Sequence, residues 1–235
     1  MKVRVASYLL PLMLLTLASC AEQYMVQGST SLQEQEGEMM YLKVLTRDEM
    51  KNIDSCRVTH GKFEFRGPMD SVVVANLFSS DQSMMMPVVL EAGDLKLNID
   101  QTVQDVSGGE LNEKLFKFLS RKRQLDSQLA ELPQREGRMV MDGVDHDQVV
   151  AQLDAEAMQI LQQQDQLVTD FIRKNYSNVL GPWLFMMITN DMAYPVMVPQ
   201  IEEIITNATP YFLNHPYVSE WLKIARENSE ILQTP

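Results

Sequence analysis

The chain has 235 residues and a formal net charge of -12, and 45% of its residues are hydrophobic. That length supports one sizeable domain or two small ones around a buried core. The acidic balance argues against nucleic acid as a partner and against electrostatic docking on anionic lipid; the basic run Arg121, Lys122 and Arg123 falls in a helical pattern and reads as a solvated face.

Lys2 and Arg4 give a positive start, the run 8–17 is almost wholly apolar, and Leu17, Ala18 and Ser19 lead into Cys20. This order is the pattern of a cleaved signal peptide. Its apolar run is nearer ten residues than the roughly twenty that cross a bilayer core, so a permanent membrane helix is not expected. The small residues before Cys20 resemble a lipobox, in which cleavage occurs ahead of a cysteine carrying a diacylglyceryl thioether. A signal peptide over 1–19 and a lipidated tether over 20–23 are therefore expected, with Cys20 as the lipidation site. Three acyl chains that bury about 0.8 kcal/mol per methylene would anchor the protein stably. Inner-membrane lipoproteins resemble a Cys-Asp start; Ala21 instead favours the outer membrane, with the periplasmic or surface face left open. Lipid on Cys20 leaves Cys56 as the second of two cysteines, without an intramolecular partner. Its strand-like setting reads as a buried, inert thiol.

From Tyr24 to about Val106 the hydrophobic period is two. Met40, Leu42 and Val44, then Phe63 and Phe65, then Leu95, Leu97 and Ile99 alternate with polar residues, which predicts half-buried strands. The runs 72–78 and 88–90 read as more deeply buried strands, and the polar stretch 29–38 as a loop. Turn signals at His60 and Gly61, at Gly67 and Pro68, and at Gly93 and Asp94 separate them. Roughly six to eight short strands at this spacing predict an antiparallel β-sandwich or open barrel over 24–106.

From about Glu110 the period becomes that of a helix. Leu111, Leu115, Phe118, Leu125, Leu129 and Leu132 form one apolar stripe, which Pro133 is expected to stop. Val150, Leu153, Ala157, Ile160, Leu167 and Phe171 form a second, with Asp145 as its cap and Arg173 and Lys174 in its last turn. Two such helices joined by about a dozen residues should pack as an antiparallel hairpin. Shorter helices are expected over 183–192, over 198–212 with a break near Pro210, and over 216–232. The fold class is thus α+β, with a β-sandwich module over 24–106 and an α-helical region over 107–235.

Three motifs carry a family resemblance. Ile53, Asp54 and Ser55 precede the hairpin of His60, Gly61, Lys62, Phe63, Glu64 and Phe65; Leu90, Glu91, Ala92 and Gly93 end a strand; Ser107, Gly108, Gly109, Glu110, Leu111 and Asn112 open the first helix. In this order they resemble the domain of unknown function 4369, an amino-terminal module of Bacteroidota lipoproteins, many of which continue into a thioredoxin-like thiol-disulfide oxidoreductase domain. The resemblance covers Tyr24 to about Leu119 well and the helical region more loosely. Thioredoxin-like chemistry needs a low-pKa thiolate with a resolving cysteine two residues away. No C-x-x-C occurs in the sequence. The chain is accordingly expected to be the module and helical region without the oxidoreductase domain, and that activity is not carried over.

Other residues with chemical potential have plainer readings. Asp142, Asp145, His146 and Asp147 concentrate metal-ligating atoms but fit no EF-hand spacing, and read as helix capping and a polar turn. Met84, Met85 and Met86 read as packing residues in preference to soft copper ligands. His60 and His215 show no triad pattern with a nucleophile and carboxylate. Trp183, Tyr194, Tyr211, Phe212, Tyr217 and Trp221 could line a glycan- or peptide-binding surface, although their helical spacing favours core packing. Asp70, Ser71 and Val72 resemble an O-glycosylation site. No phosphate-binding loop is present, since Gly108 and Gly109 lack the flanking lysine of one.

These readings lead to no catalytic residue, no cofactor and no metal site. The expected function is that of a membrane-anchored envelope lipoprotein acting as a non-catalytic binding or scaffold module, its partner a protein or small ligand of the envelope. The alternative is an accessory to a thiol-disulfide redox system that presents Cys56. The ligand hinges on whether a concave, polar-lined pocket forms where the sheet meets the helices. A Cys20→Ala variant should lose acyl labelling and move to the soluble fraction; continued membrane attachment of that variant would rule out the lipobox assignment.

Overall fold

The computed structural model of the protein describes residues 22–46, 49–100 and 104–233. Among these, eight strands come first: β1 (Gln23–Thr30), β2 (Met39–Leu45), β3 (Met50–Arg57), β4 (Lys62–Pro68), β5 (Val73–Phe78), β6 (Met84–Leu90), β7 (Gly93–Ile99) and β8 (Gln104–Ser107). The helices are α1 (Glu110–Met141), α2 (His146–Lys174), α3 (Leu180–Asn190), α4 (Pro199–Ile205), α5 (Pro210–Leu213) and α6 (Pro216–Gln233). No helix among the described residues is long and apolar enough to cross a membrane.

The strands form two four-stranded sheets, ordered β4-β1-β7-β8 and β3-β2-β5-β6. Side chains from both meet in one core, where Met40, Leu42, Phe65, Leu77, Leu90 and Ile99 are fully buried. The arrangement is a sandwich that does not close into a barrel. One ladder differs from the all-antiparallel expectation, because β1 runs parallel to β7. Turn signals reveal hairpin neighbours only; here β1 inserts between strands distant in sequence. Val26 thereby sits opposite Phe65 on one side and Leu95 on the other, which extends the apolar face across three strands.

The opposite face of the same strand explains a second difference. Gln27 donates to Glu64 at 3.1 Å and Ser29 donates to Asn98 at 3.1 Å, so cross-strand polar pairs carry β1 to Thr30, into the stretch expected to be a loop. Only then does the chain turn, through a short 3-10 segment at Gln33–Gln35.

The second sheet is buried on both faces along β5 and β6. Ala75, Leu77, Val88 and Leu90 point into the sandwich, and Val74 and Val89 point the other way into a core shared with the helices. That core is aromatic: Phe185 meets Trp221 and Phe212 edge-on, with centroids 5.4 and 5.6 Å apart, and Phe118 stacks on Phe171 at 4.3 Å.

α1 and α2 pair as an antiparallel hairpin, with Arg135 reaching Glu156 and Arg121 reaching Gln163 across it. Leu125, Leu132, Val149, Leu153 and Ile160 fill its seam. Val149 takes the buried place expected for Val150. α1 does not stop at Pro133 but continues two turns to Met141, and the link to α2 is the four residues 142–145. Pro133 lies on the exposed side, where water can take the carbonyl left without a helical donor, while Leu132 beside it stays in the seam. Asp145 caps α2 by accepting from the Gln148 amide at 3.1 Å, as expected.

The junction between sheet and helices rests on Asn112, which is fully buried in the first turn of α1. β6 is an edge strand, so its outward N–H and C=O groups need partners. Asn112 Oδ1 accepts from the Val89 N–H at 2.8 Å and Asn112 Nδ2 donates to the Val89 carbonyl at 2.8 Å. Glu91 closes the set, accepting from the Asn112 amide side chain at 3.0 Å and from its backbone N–H at 3.2 Å. Gly108 and Gly109 adopt φ of 89° and 83°; a Cβ at Gly109 would lie 2.2 Å from Glu91 Oε1. An Asn112→Leu variant should lose on the order of 2–4 kcal/mol, because two buried backbone groups lose their partners. Its urea midpoint measures this, and an unchanged midpoint would show that the contact does not hold the junction.

Candidate functional site

The helices leave a cleft where they meet the outer face of the second sheet. It encloses about 470 Å³, within the range of roughly 300–1,000 Å³ usual for ligand sites. Val74 and Asn76 on β5 and Val72 just before it make its floor, with Val44, Leu45 and Thr46 at the end of β2. Pro182, Trp183, Met186 and Met187 on α3 make one wall; Tyr211, His215, Pro216, Tyr217 and Glu220 make the other. The location is the one the sequence pointed to as decisive, but the walls are mostly apolar, not polar.

Local structure fixes the wall positions. The Tyr217 hydroxyl lies 2.9 Å from Thr189 Oγ1 and donates to Asn190 Oδ1 at 3.0 Å, pinning the start of α6 to the end of α3. The Thr46 hydroxyl is held at the rim by Glu49, donating to its carbonyl at 2.8 Å. His215 sits just before Pro216, and burial pushes its pKa down, so the ring is neutral at neutral pH. Its Nδ1 is buried and has no hydrogen-bond partner among the described residues. Among the described residues, the lining holds no Ser or Cys and no Lys or Arg. It therefore offers neither a thiol or serine nucleophile next to the histidine nor a cation for an anionic group.

The six aromatic residues grouped by sequence divide three ways. Trp183, Tyr211 and Tyr217 line the cleft, Phe212 and Trp221 belong to the buried core, and Tyr194 is exposed. Apart from Val72, the floor residues were not singled out by sequence as site residues.

The other candidates lie apart from the cleft, except for Val72 of the Asp70, Ser71 and Val72 motif. Cys56 is half-buried on β3, beside a shallow groove of about 700 Å³ that also holds Arg57, Lys62 and Lys96. Burial pushes its thiol up to about 11; the Asp54 carboxylate adds to this, and a backbone hydrogen bond from Glu64 opposes it. Asp142 and Asp145 terminate α1 and α2, and His146 lies 3.7 Å from both Glu136 and Asp147. Met86 is in the sandwich core and Met85 packs against it. His60 holds a turn with φ of 53°, where its N–H donates to Glu36 at 2.9 Å. Asp70 and Ser71 are exposed between β4 and β5. Cys20 and the leader 1–19 lie outside the described residues.

Comparison with known proteins bears on the sandwich. No curated protein and no solved structure matches the chain. A family described as Domain of unknown function (DUF4369) matches residues 24–115. The matched span takes in Ile53 to Ser55, the hairpin at His60 and Gly61, Glu91 and Asn112, the last two of which the structure brings into contact. It ends early in α1, so the cleft floor lies inside it and the cleft walls on α3 and α6 lie outside. The likeness to this family thus covers the sandwich and the start of the first helix.

Proposed function

We propose that the protein is a non-catalytic binding module of the cell envelope, anchored in the outer membrane through lipid on Cys20, which takes its ligand into the cleft between β5 and the helices. The cleft carries this reading. It is ligand-sized, walled by Trp183, Tyr211 and Tyr217, and floored by branched aliphatic side chains. Aromatic walls bury much area with few rotatable bonds, which favours binding. Among the described residues the lining is chiefly apolar, which suits holding an apolar ligand body. The lipobox-like residues before Cys20 support the anchor, and the combination would present a binding cleft at a membrane surface.

The alternative reading, an accessory to a thiol-disulfide system, needs a thiolate at Cys56. A thiol near 11 in place of 9 holds roughly a hundredfold less thiolate at neutral pH, which weighs against that role. In a Cys20→Ala background, iodoacetamide should label Cys56 of the folded protein about a hundredfold more slowly at pH 8 than the urea-unfolded chain, with the rate climbing as pH rises toward 11. Equal rates would restore the redox reading.

The binding reading is tested by capture from detergent-solubilised envelope. Wild-type protein should enrich a component that a Val72→Trp variant, whose indole would occupy the cleft, fails to enrich. If nothing is enriched over a signal-matched control lipoprotein, or if capture survives the filled cleft, the cleft is not the binding site.

A further inference from the structure

The strand register places the cleft at one end of the sandwich. β1 starts at Gln23 and is paired from its first residues, with Gln23 opposite Pro68 of β4 and Tyr24 opposite Gly93 of β7. The chain leaves β4 at this end, where the Met69 N–H donates to the Glu22 carbonyl at 2.9 Å, and enters β5 at Val73. β2 runs antiparallel to β5, with Val44 opposite Ala75, so it finishes here too. The start of β1 and the cleft floor of Val72, Val74, Val44 and Leu45 therefore share one end.

That end is also the one the proposed lipid would hold. Only Ala21 and Glu22 lie between Cys20 and Gln23, so β1 begins with no long linker to lift it off a bilayer. From Val72 to Met69, across the hydrogen bond to Glu22 and on to Cys20, the path spans at most about 25 Å, taking ~3.6 Å per residue. This is less than the roughly 40 Å of a bilayer with its head groups. Lipid on Cys20 would thus keep the cleft beside a reservoir of acyl chains.

The lining suits such a chain. Val44, Val74 and Pro182 present aliphatic carbon, Trp183 a flat apolar face, and Met186 and Met187 unbranched side chains that adapt to a flexible partner. Met187 is 38% exposed, which leaves this surface open at the wall. A tail that moves from bilayer to cleft exchanges one apolar surrounding for another, so its occupancy rests on the high local concentration that the anchor provides. Resting on the anchor and the cleft proposed above, we infer that the occupant of the cleft is an acyl chain of a phospholipid taken from the membrane that holds Cys20.

Trp183 reports on occupancy, since of the two tryptophans it lines the cleft and Trp221 belongs to the core. The lipidated mature chain is reconstituted in phosphatidylcholine vesicles whose acyl chains carry bromine, a contact quencher, at mid-chain, or carry none. A zwitterionic lipid is used because Asp70 and Asp94 are exposed at the anchored end. Tryptophan emission should fall about twofold in the brominated vesicles, as one of the two indoles is reached, and a Val72→Glu variant, which sets a carboxylate on the floor, should lose that quenching. Should Val72→Glu fail to fold, Met187→Glu on the exposed wall replaces it. No quenching of the wild type, with capture that Val72→Trp still abolishes, would overturn the acyl chain and leave the cleft a site for another ligand; no quenching and no such capture would remove the cleft reading as well. Quenching that persists in both glutamate variants would show bromine reaching the indole without the cleft and would overturn the inference. Quenching of Cys20→Ala but not of the lipidated chain would place the protein's own acyl chain in the cleft and overturn the membrane source. Loss of the lipidated chain from the vesicles on flotation would overturn the anchor on which the inference rests.

Discussion

A single asparagine side chain stands in for a missing β-strand. The sheet β3-β2-β5-β6 ends at β6, and an edge strand carries backbone N–H and C=O groups that must meet water, another chain or some part of the same protein. Asn112 supplies both partners to Val89 from one amide, in the geometry a neighbouring strand would have used. This contact does more than cap an edge. It fixes where α1 begins and at what angle it leaves the sheet, and so fixes the hairpin, since α2 packs back along α1. The position of α3 and α6 over β5 follows from that in turn, because Phe118, Phe171, Phe185 and Trp221 share one core with Val74 and Val89. A cleft between sheet and helices can keep its shape only if this joint does.

The joint also explains why two of the three short motifs occur together. Glu91, at the end of β6, accepts from Asn112 twice, and Gly108 and Gly109 clear the space that this approach needs; a Cβ on Gly108 would lie 2.4 Å from the Asp94 carbonyl. The double glycine is therefore a steric requirement of a strand-to-helix turn, not a phosphate loop. Read along the chain, these residues formed a resemblance without a mechanism. Only the fold places the glutamate, the glycines and the asparagine within one contact.

What periodicity could reveal, it revealed: strands alternating at Phe63 and Phe65 or Leu95 and Leu97, and helical stripes through Leu125 and Leu153, are local consequences of side chains pointing every second or every three-to-four residues to one side. What it missed is nonlocal. The parallel pairing of β1 with β7 depends on Phe65 and Leu95 flanking Val26, a relation no window of sequence contains. Pro133 was a sound stop signal by propensity, yet the seam on one side and solvent on the other let the helix pass through it. The sequence pointed to the meeting of sheet and helices but not to the residues that line the cleft there, since its floor and walls are separated by about a hundred residues.

A buried amide is tolerated where its partners repay the lost hydration, and Asn112, fully removed from solvent, has four such contacts with Val89 and Glu91 when its backbone N–H is counted. Its role is then wholly internal. An apolar side chain of the same shape would leave the Val89 N–H and C=O without partners, and a shorter amide-free one would also open the space that the double glycine and Glu91 close around it, so the joint tolerates neither.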